Sequence, residues 1–152
     1  MSTGVTMSAS RQRIVVGVDG SEHSEGALRW ALGQARLSGA SVEAVTAWRF
    51  PTTYSLATIV PDIDLEAEAR HMLADALAKI VGDTPGVQVL QLVGEGPPAE
   101  VLLRAAKGAD LLVVGSRGQG GFASAVLGSV SLACVLNAPC PVLVHCPPSD
   151  TP

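Results

Sequence analysis

The tightest constraint on the fold is an alternation: five short runs of aliphatic and β-branched residues, each separated from the next by a stretch of helical character. Arg13–Val18, Ser41–Trp48, Val87–Val93, Asp110–Val114 and Val142–Cys146 read as strands, being short, rich in Val, Ile and Leu, and bounded by turn-forming residues. Between them the sequence predicts helices over about Ser24–Ser38, over Leu65–Ile80, from Pro98 to before Gly108, and over about Ser124–Leu136. Consecutive strands joined by a helix pair in parallel, because the helix carries the chain back across the sheet. The order β α β α β α β α β thus predicts an α/β protein with a doubly wound, five-stranded parallel sheet and a ligand crevice at the carboxyl ends of its strands.

Local signals support each element. The first helix has Glu22 and Glu25 near its start, Arg36 near its end and Gly39 just beyond, with Ser21 or Ser24 as N-cap. In the second, Leu65, Ala69, Met72, Leu73, Ala76, Leu77 and Ile80 form one apolar face, and Asp75 and Lys79 stand four apart on the solvent side. Pro139-Cys-Pro141 ends the fourth helix before the last strand. The strand at 110–114 is apolar on both sides, as an interior strand of a parallel sheet must be. Residues 49–63, with Pro51, Tyr54 and Pro61, show no period and form the longest connection.

The chain of 152 residues has the size of one domain, expected over 13–147 between disordered tails at 1–12 and 148–152. A net charge of −4 and no basic block exclude a nucleic-acid surface, which needs clustered Lys and Arg. No apolar run approaches the roughly 20 residues that span a bilayer, and Met1–Ser10 is small and polar, so a soluble cytoplasmic protein with no membrane partner is expected. Cys134, Cys140 and Cys146 are odd in number and lack C-x-x-C spacing, which reads as free, mostly buried thiols. Adjacent His145 and Cys146 would point to opposite faces of a strand, which argues against a metal shared with Cys140.

Chemistry concentrates in a glycine ladder that begins where the fourth strand stops: Gly115-Ser116-Arg117-Gly118, nine residues, then Gly128-Ser129. Glycine lets a backbone turn with positive φ and bring its N–H groups close to an anion. Between a strand and a helix N-terminus, such a loop offers unpaired donors and the positive end of the helix dipole to a phosphate. Arg117 either adds charge to that site or is solvated, and Gly120 and Gly121 either bind or only turn the chain. Asp19, after the first strand, either caps the helix or accepts hydrogen bonds from a ribose or an adenine amine, or helps hold a cation.

Several chemistries are absent from the sequence. There is no Gly-Lys-Ser/Thr ending of a P-loop and no G-x-G-x-x-G fingerprint, since the first crossover reads Gly17-Val-Asp19-Gly20-Ser21. His23, His71 and His145 are scattered and make no nucleophilic triad.

Together, Ile14–Ser21, Gly94–Glu100, Ala109–Gly118, Leu127–Ser131 and Ala138–Val142 resemble the universal stress protein family in its ATP-binding class, the likeness spanning residues 13–146. The family's G-x2-G-x9-G-S/T signature is complete at Gly115, Gly118, Gly128 and Ser129. The resemblance implies a Rossmann-like sheet of order 3-2-1-4-5, of the adenine nucleotide alpha hydrolase-like type, with ATP bound near strands one and two. It places Gly17 and Asp19 in the first-strand contact segment and gives the backbone of Ala47 to adenine. Gly115, Ser116, Arg117, Gly118, Gly128, Ser129, Val130 and Ser131 then form the phosphate and ribose segment. It also implies Mg²⁺ or Mn²⁺ beside the phosphates and a homodimer through the last strand, Val142–Cys146.

The function expected is that of an ATP-binding regulator in the stress response. A missing phosphate lysine and general base weigh against an enzyme, and leave a slow ATPase or a phosphoryl or adenylyl transferase using Asp19 with a metal as the alternative. A cyclic nucleotide such as cAMP could use the same contacts, and a scaffold whose glycines only pack is the third reading.

Overall fold

The computed structural model describes residues 11–50, 63–80, 82, 85–118 and 127–148. Strands β1 (Arg13–Gly17), β2 (Ser41–Trp48), β3 (Val89–Glu95), β4 (Leu111–Gly115) and β5 (Val142–His145) form one sheet in the order β3-β2-β1-β4-β5, every neighbouring pair parallel. Among the described residues the α-helices are α1 (Glu22–Ser38), α2 (Leu65–Ile80), α3 (Pro98–Ala105) and α4 (Ser129–Asn137). The expected fold class and strand order are both found. Most of the 49–63 connection, Gly120 and Gly121, and most of the two tails lie outside the described residues.

Alternation along each strand divides the core in two. Ile14, Val16 and Val18 pack with Val42 and Ala44 under α1 and α2, against Leu28, Leu32, Leu73 and Leu77. Val15, Val45, Leu112 and Val114 face the other way, toward Val101 and Leu102 of α3 and Cys134 of α4. Both faces of β1 and β4 are therefore covered, which is why these strands read as continuous apolar runs. Two glycines let α3 settle closely onto the sheet: a Cβ at Gly17 would lie 2.9 Å from Leu102 Cδ1, and one at Gly94 would lie 2.7 Å from Val101 Cγ1.

Caps and ion pairs refine the boundaries. Ser21, in extended conformation, is the N-cap of α1 and its hydroxyl accepts from Ser24 N–H, so the helix opens at Glu22, earlier than expected; Gly39 closes it in the left-handed region at φ 77°. β3 is displaced toward the C-terminus of its expected range, because its register continues until Glu95 stands opposite Trp48. α4 begins at Ser129, with Leu127 and Gly128 non-helical before it, instead of at about Ser124. Lys79 pairs with Glu25 of α1 at 3.6 Å, bridging two helices, where an i,i+4 partner in Asp75 was expected. At the amino edge of the sheet the Arg13 guanidinium clamps Glu43, the Ala105 carbonyl and the Lys107 carbonyl, which fixes β1 at the end opposite the crevice.

Candidate functional site

The chain runs outward from β1 to β3 and then returns to β4 on the other side of β1, so the connections after β1 and β4 diverge at the carboxyl rim. A cavity of ≈ 630 Å³ opens there. Gly17 and Asp19 wall it from β1, Ala47 from β2, Gly115, Arg117 and Gly118 from the loop after β4, and Gly128, Ser129, Val130 and Ser131 from the start of α4. Of the described residues assigned to the nucleotide site from the sequence, only Ser116 is off that wall: it is 4% exposed, donates its N–H to the His145 carbonyl and accepts from Gly128 N–H and Ser131 Oγ. Its part is to hold the loop.

The ladder glycines serve close approach rather than turning. The described glycines with positive φ are Gly20, Gly39, Gly86, Gly96 and Gly108, so Gly115, Gly118 and Gly128 need no left-handed backbone. A Cβ at Gly115 would instead fall 2.8 Å from the His23 carbonyl carbon, and one at Gly118 would fall 2.6 Å from Asp19 Oδ2. The positive-φ expectation is thereby replaced by a steric one at two positions: the start of α1 lies against Gly115 and the Asp19 carboxylate against Gly118, whereas Gly128 makes only ordinary contacts, the nearest at 3.4 Å.

Donors at the rim come from α4. Gly128 N–H is committed to the Ser116 carbonyl at 2.7 Å, so the expectation that it faces a ligand does not hold. Ser131 Oγ is likewise turned inward, between the carbonyls of Ser116 and Gly128. What α4 presents is its first-turn amides at Ser129, Val130 and Ser131, which have no carbonyl one turn earlier in the helix. Its N-cap makes no side-chain bond and its first turn holds no acid, whereas α1 is capped by Ser21 and carries Glu22 and Glu25. The α4 end is the electropositive one.

Across the cavity, Asp19 both orders the turn and lines the wall. Its Oδ1 accepts from Ser21 N–H at 2.9 Å and from Ser21 Oγ, and its own N–H donates to Ser24 Oγ at 3.2 Å. The strand registers explain Ala47. β2 bonds β1 through alternate residues, ending with Val18 N–H to the Val45 carbonyl, and Thr46 Oγ1 then occupies the Val18 carbonyl at 2.8 Å. By the same alternation Ala47 turns its N–H and C=O to the β1 side, past the last of those bonds and onto the cavity wall.

Thr46, Met72, Pro98, Leu102 and Leu127 also line the cavity and had not been singled out. Helix periodicity placed Met72 on the buried face of α2, but its position against β2 depends on contacts remote in sequence. None of the thiols lines this cavity, although Cys134 packs with Val45, Leu102 and Val114 behind it. Cys134 is buried, Cys140 half-buried and Cys146 exposed, so burial is less general than expected. Burial, with Cys140 nearby, pushes the Cys134 thiol up to about 11, which leaves it protonated and inert at neutral pH. His145 packs its imidazole over Gly26, where a Cβ would meet Cε1 at 2.7 Å. Among the described residues no group of three or more His, Cys, Asp or Glu could hold a metal. A second cleft, ≈ 600 Å³, lies between α1 and α2, where Glu25, Glu68 and Asp75 outnumber Lys79 and oppose an anion.

A doubly wound parallel α/β sheet with a glycine loop and an uncapped helix at its switch point defines a Rossmann-like protein of the single-sheet, five-stranded kind. The universal stress protein family model matches residues 10–145, and the chain belongs to that family. It is 38% identical over 136 residues to a universal stress protein of Mycolicibacterium smegmatis, covering 89% of this chain and 46% of the relative. The chain thus spans about half the length of the curated relatives it matches. Among solved structures, it is similar to a universal stress protein in complex with cAMP (25% identity, TM-score 0.69, 88% of this chain and 96% of that one). It is also similar to the Archaeoglobus fulgidus universal stress protein in complex with dAMP (28% identity, TM-score 0.61, 88% and 96%).

Proposed function

We propose that the protein binds an adenine nucleotide, ATP in the first instance, in the rim cavity, and acts as a nucleotide-dependent regulator in the stress response. The observation that carries this reading is the meeting in one cavity of the α4 amides, the glycine loop and the outward-turned backbone of Ala47. Its ≈ 630 Å³ lies within the range of small-molecule pockets, about 300–1,000 Å³. Ala47 N–H can donate to adenine N1 while its C=O accepts from the N6 amine, a pairing that guanine reverses and fails. The phosphates then lie toward Ser129, Val130 and Ser131, with Arg117 alongside. The relatives in complex with cAMP and dAMP support an adenine ligand.

A divalent cation fits this site only together with the nucleotide. Asp19 is one carboxylate at the rim, and Mg²⁺ is commonly held by one or two carboxylates plus phosphate oxygens and water. The cation would add charge neutralisation at the phosphates. Residues 13–147 are taken as one folding unit acting in the cytoplasm; among the described residues no helix is long and apolar enough to cross a membrane.

Pairing through β5 into a homodimer is supported by the edge position of that strand and by the exposed Leu132, Val135 and Leu136 on neighbouring α4. Sedimentation equilibrium is expected to give twice the chain mass, and a one-chain mass at high concentration would remove the dimer. For the ligand itself, mass spectrometry of molecules released from freshly purified protein is expected to find an adenine nucleotide. Empty protein that also shows no heat with ATP, cAMP or adenosine would reject the reading.

A further inference from the structure

β3 is the longer of the two edges of the sheet, seven residues against four in β5. Edge strands are usually blunted by charge, proline or shortness, and between Val89 and Gly94 there is neither a charge nor a proline. The bonds of β3 to β2 run through alternate residues, from the Gln88 carbonyl, which accepts from Val42 N–H, to Gly96 N–H, which donates to the Trp48 carbonyl. By that alternation Val89, Gln91 and Val93 turn their N–H and C=O outward, and among the described residues no strand lies beyond them. Arg104 Nη2 donates to the Glu95 carbonyl at 3.1 Å, so the open row ends at Val93. Side chains alternate as well. Val89 and Val93 pack against the core under α1 and α2, whereas Leu90 and Leu92 stand on the other face, the one on which Gly94 meets Val101 of α3, at 50% and 41% exposure. Bare leucines beside a row of open backbone groups make a surface that fits another strand.

We propose that the β3 edge pairs with the same edge of a second copy of this chain, antiparallel about a two-fold axis at Gln91, joining two sheets into one. The occupant follows from how the edge complements itself. A two-fold at Gln91 sets Gln91 against Gln91, Val89 against Val93 and Leu90 against Leu92 of the second copy. Each outward N–H and C=O of the odd-numbered residues then meets its counterpart, and the leucines of both copies close into one apolar patch, because opposite residues of an antiparallel pair share a face. Charge agrees with this direction. The amino end of the edge carries Arg11, whose Nη1 donates to Gln88 Oε1 at 2.8 Å, and the carboxyl end carries the exposed Glu95. The same register sets Glu95 opposite Val87 of the second copy, next to the Gln88 that holds Arg11, so each end brings unlike charges together. A parallel pairing would set Arg11 beside Arg11 and Glu95 beside Glu95. The contact is isologous and lies at the opposite edge from β5, so a chain that used both edges would assemble beyond a dimer.

Cysteine pairs read the register directly. In a Cys146→Ser background, which removes the exposed native thiol, Leu90→Cys mixed with Leu92→Cys is expected to cross-link with oxidised glutathione, since the two positions face each other. Either variant alone is expected to cross-link at least about tenfold less, its own copies lying diagonally, about 7–8 Å apart. Sedimentation equilibrium of the full chain is the second readout. In wild type the mass is expected to climb above twice the chain mass as concentration rises. Leu90→Lys with Leu92→Lys sets like charges against each other and is expected to weaken that step at least about tenfold, with an unfolding midpoint near wild type because both side chains are half-exposed. Arg11→Glu is expected to weaken it about threefold, and Arg11→Glu with Glu95→Arg to restore it. If the lysine variant turns a wild-type dimer into a monomer, β3 is the dimer edge and the pairing through β5 falls instead. A wild type that never exceeds the mass of the lysine variant, or a mixture that cross-links no better than either cysteine variant alone, overturns the proposal and leaves the nucleotide reading intact. Should the lysine variant not fold, the mixed cross-link decides alone.

Discussion

Gly115→Ala is expected to lower the stability of the protein by about 1–3 kcal/mol, the usual cost of forcing an extra carbon into a filled space. The new Cβ would stand 2.8 Å from the carbonyl carbon and 2.9 Å from the carbonyl oxygen of His23, main-chain atoms that no rotamer change can move away. Relief requires the start of α1 to lift from β4, and α1 supplies Leu28 and Leu32, both fully buried, to the core. The midpoint of urea unfolding measures the effect. A midpoint equal to that of wild type would show that the α1 start yields freely, contrary to the packing described.

Gly118→Val and Gly128→Val are expected to do the opposite, keeping the fold and losing the ligand. At Gly118 the added carbon meets a side-chain carboxylate, that of Asp19, and no main-chain atom, and at Gly128 the nearest atom, Arg117 Cα, is 3.4 Å away. Neither substitution strikes the core, so unfolding midpoints should stay close to wild type. Each, however, places a branched side chain in the space between the loop and the α4 amides. Affinity for ATP is expected to fall at least about 100-fold, equivalent to about 2.7 kcal/mol. Calorimetry with unchanged affinity in both variants would mean that phosphates do not lie there.

The contrast between these glycines was not visible in the sequence. Strand positions and the parallel, doubly wound architecture could be read because Ile14–Val18 and Leu111–Val114 are apolar on both faces, and burial on both sides leaves no polar alternation to mislead. The two rims of the crevice followed from that order. Which glycine opposes a backbone and which opposes a carboxylate depends on how α1 lies over β4, a tertiary relation with no local signal. Equally hidden were the commitment of Gly128 N–H to Ser116, which fixes the true start of α4, and the reach of Lys79 across to Glu25. Thr46 offers a subtler case: threonine at a strand end reads as ordinary β propensity, yet its hydroxyl caps Val18 and so leaves the Ala47 amide turned to the cavity.

Adjacency of β1 and β4 has a further consequence for how the pocket comes into being. Asp19 and Gly118 are far apart in sequence and meet only because β4 lies beside β1, on the side away from β2 and β3. A nascent or half-folded chain lacking β4 holds one lip of the crevice and nothing to close on. Under the proposed function, nucleotide capture would report on completed assembly, and occupancy would raise the cost of global opening rather than protect any one segment.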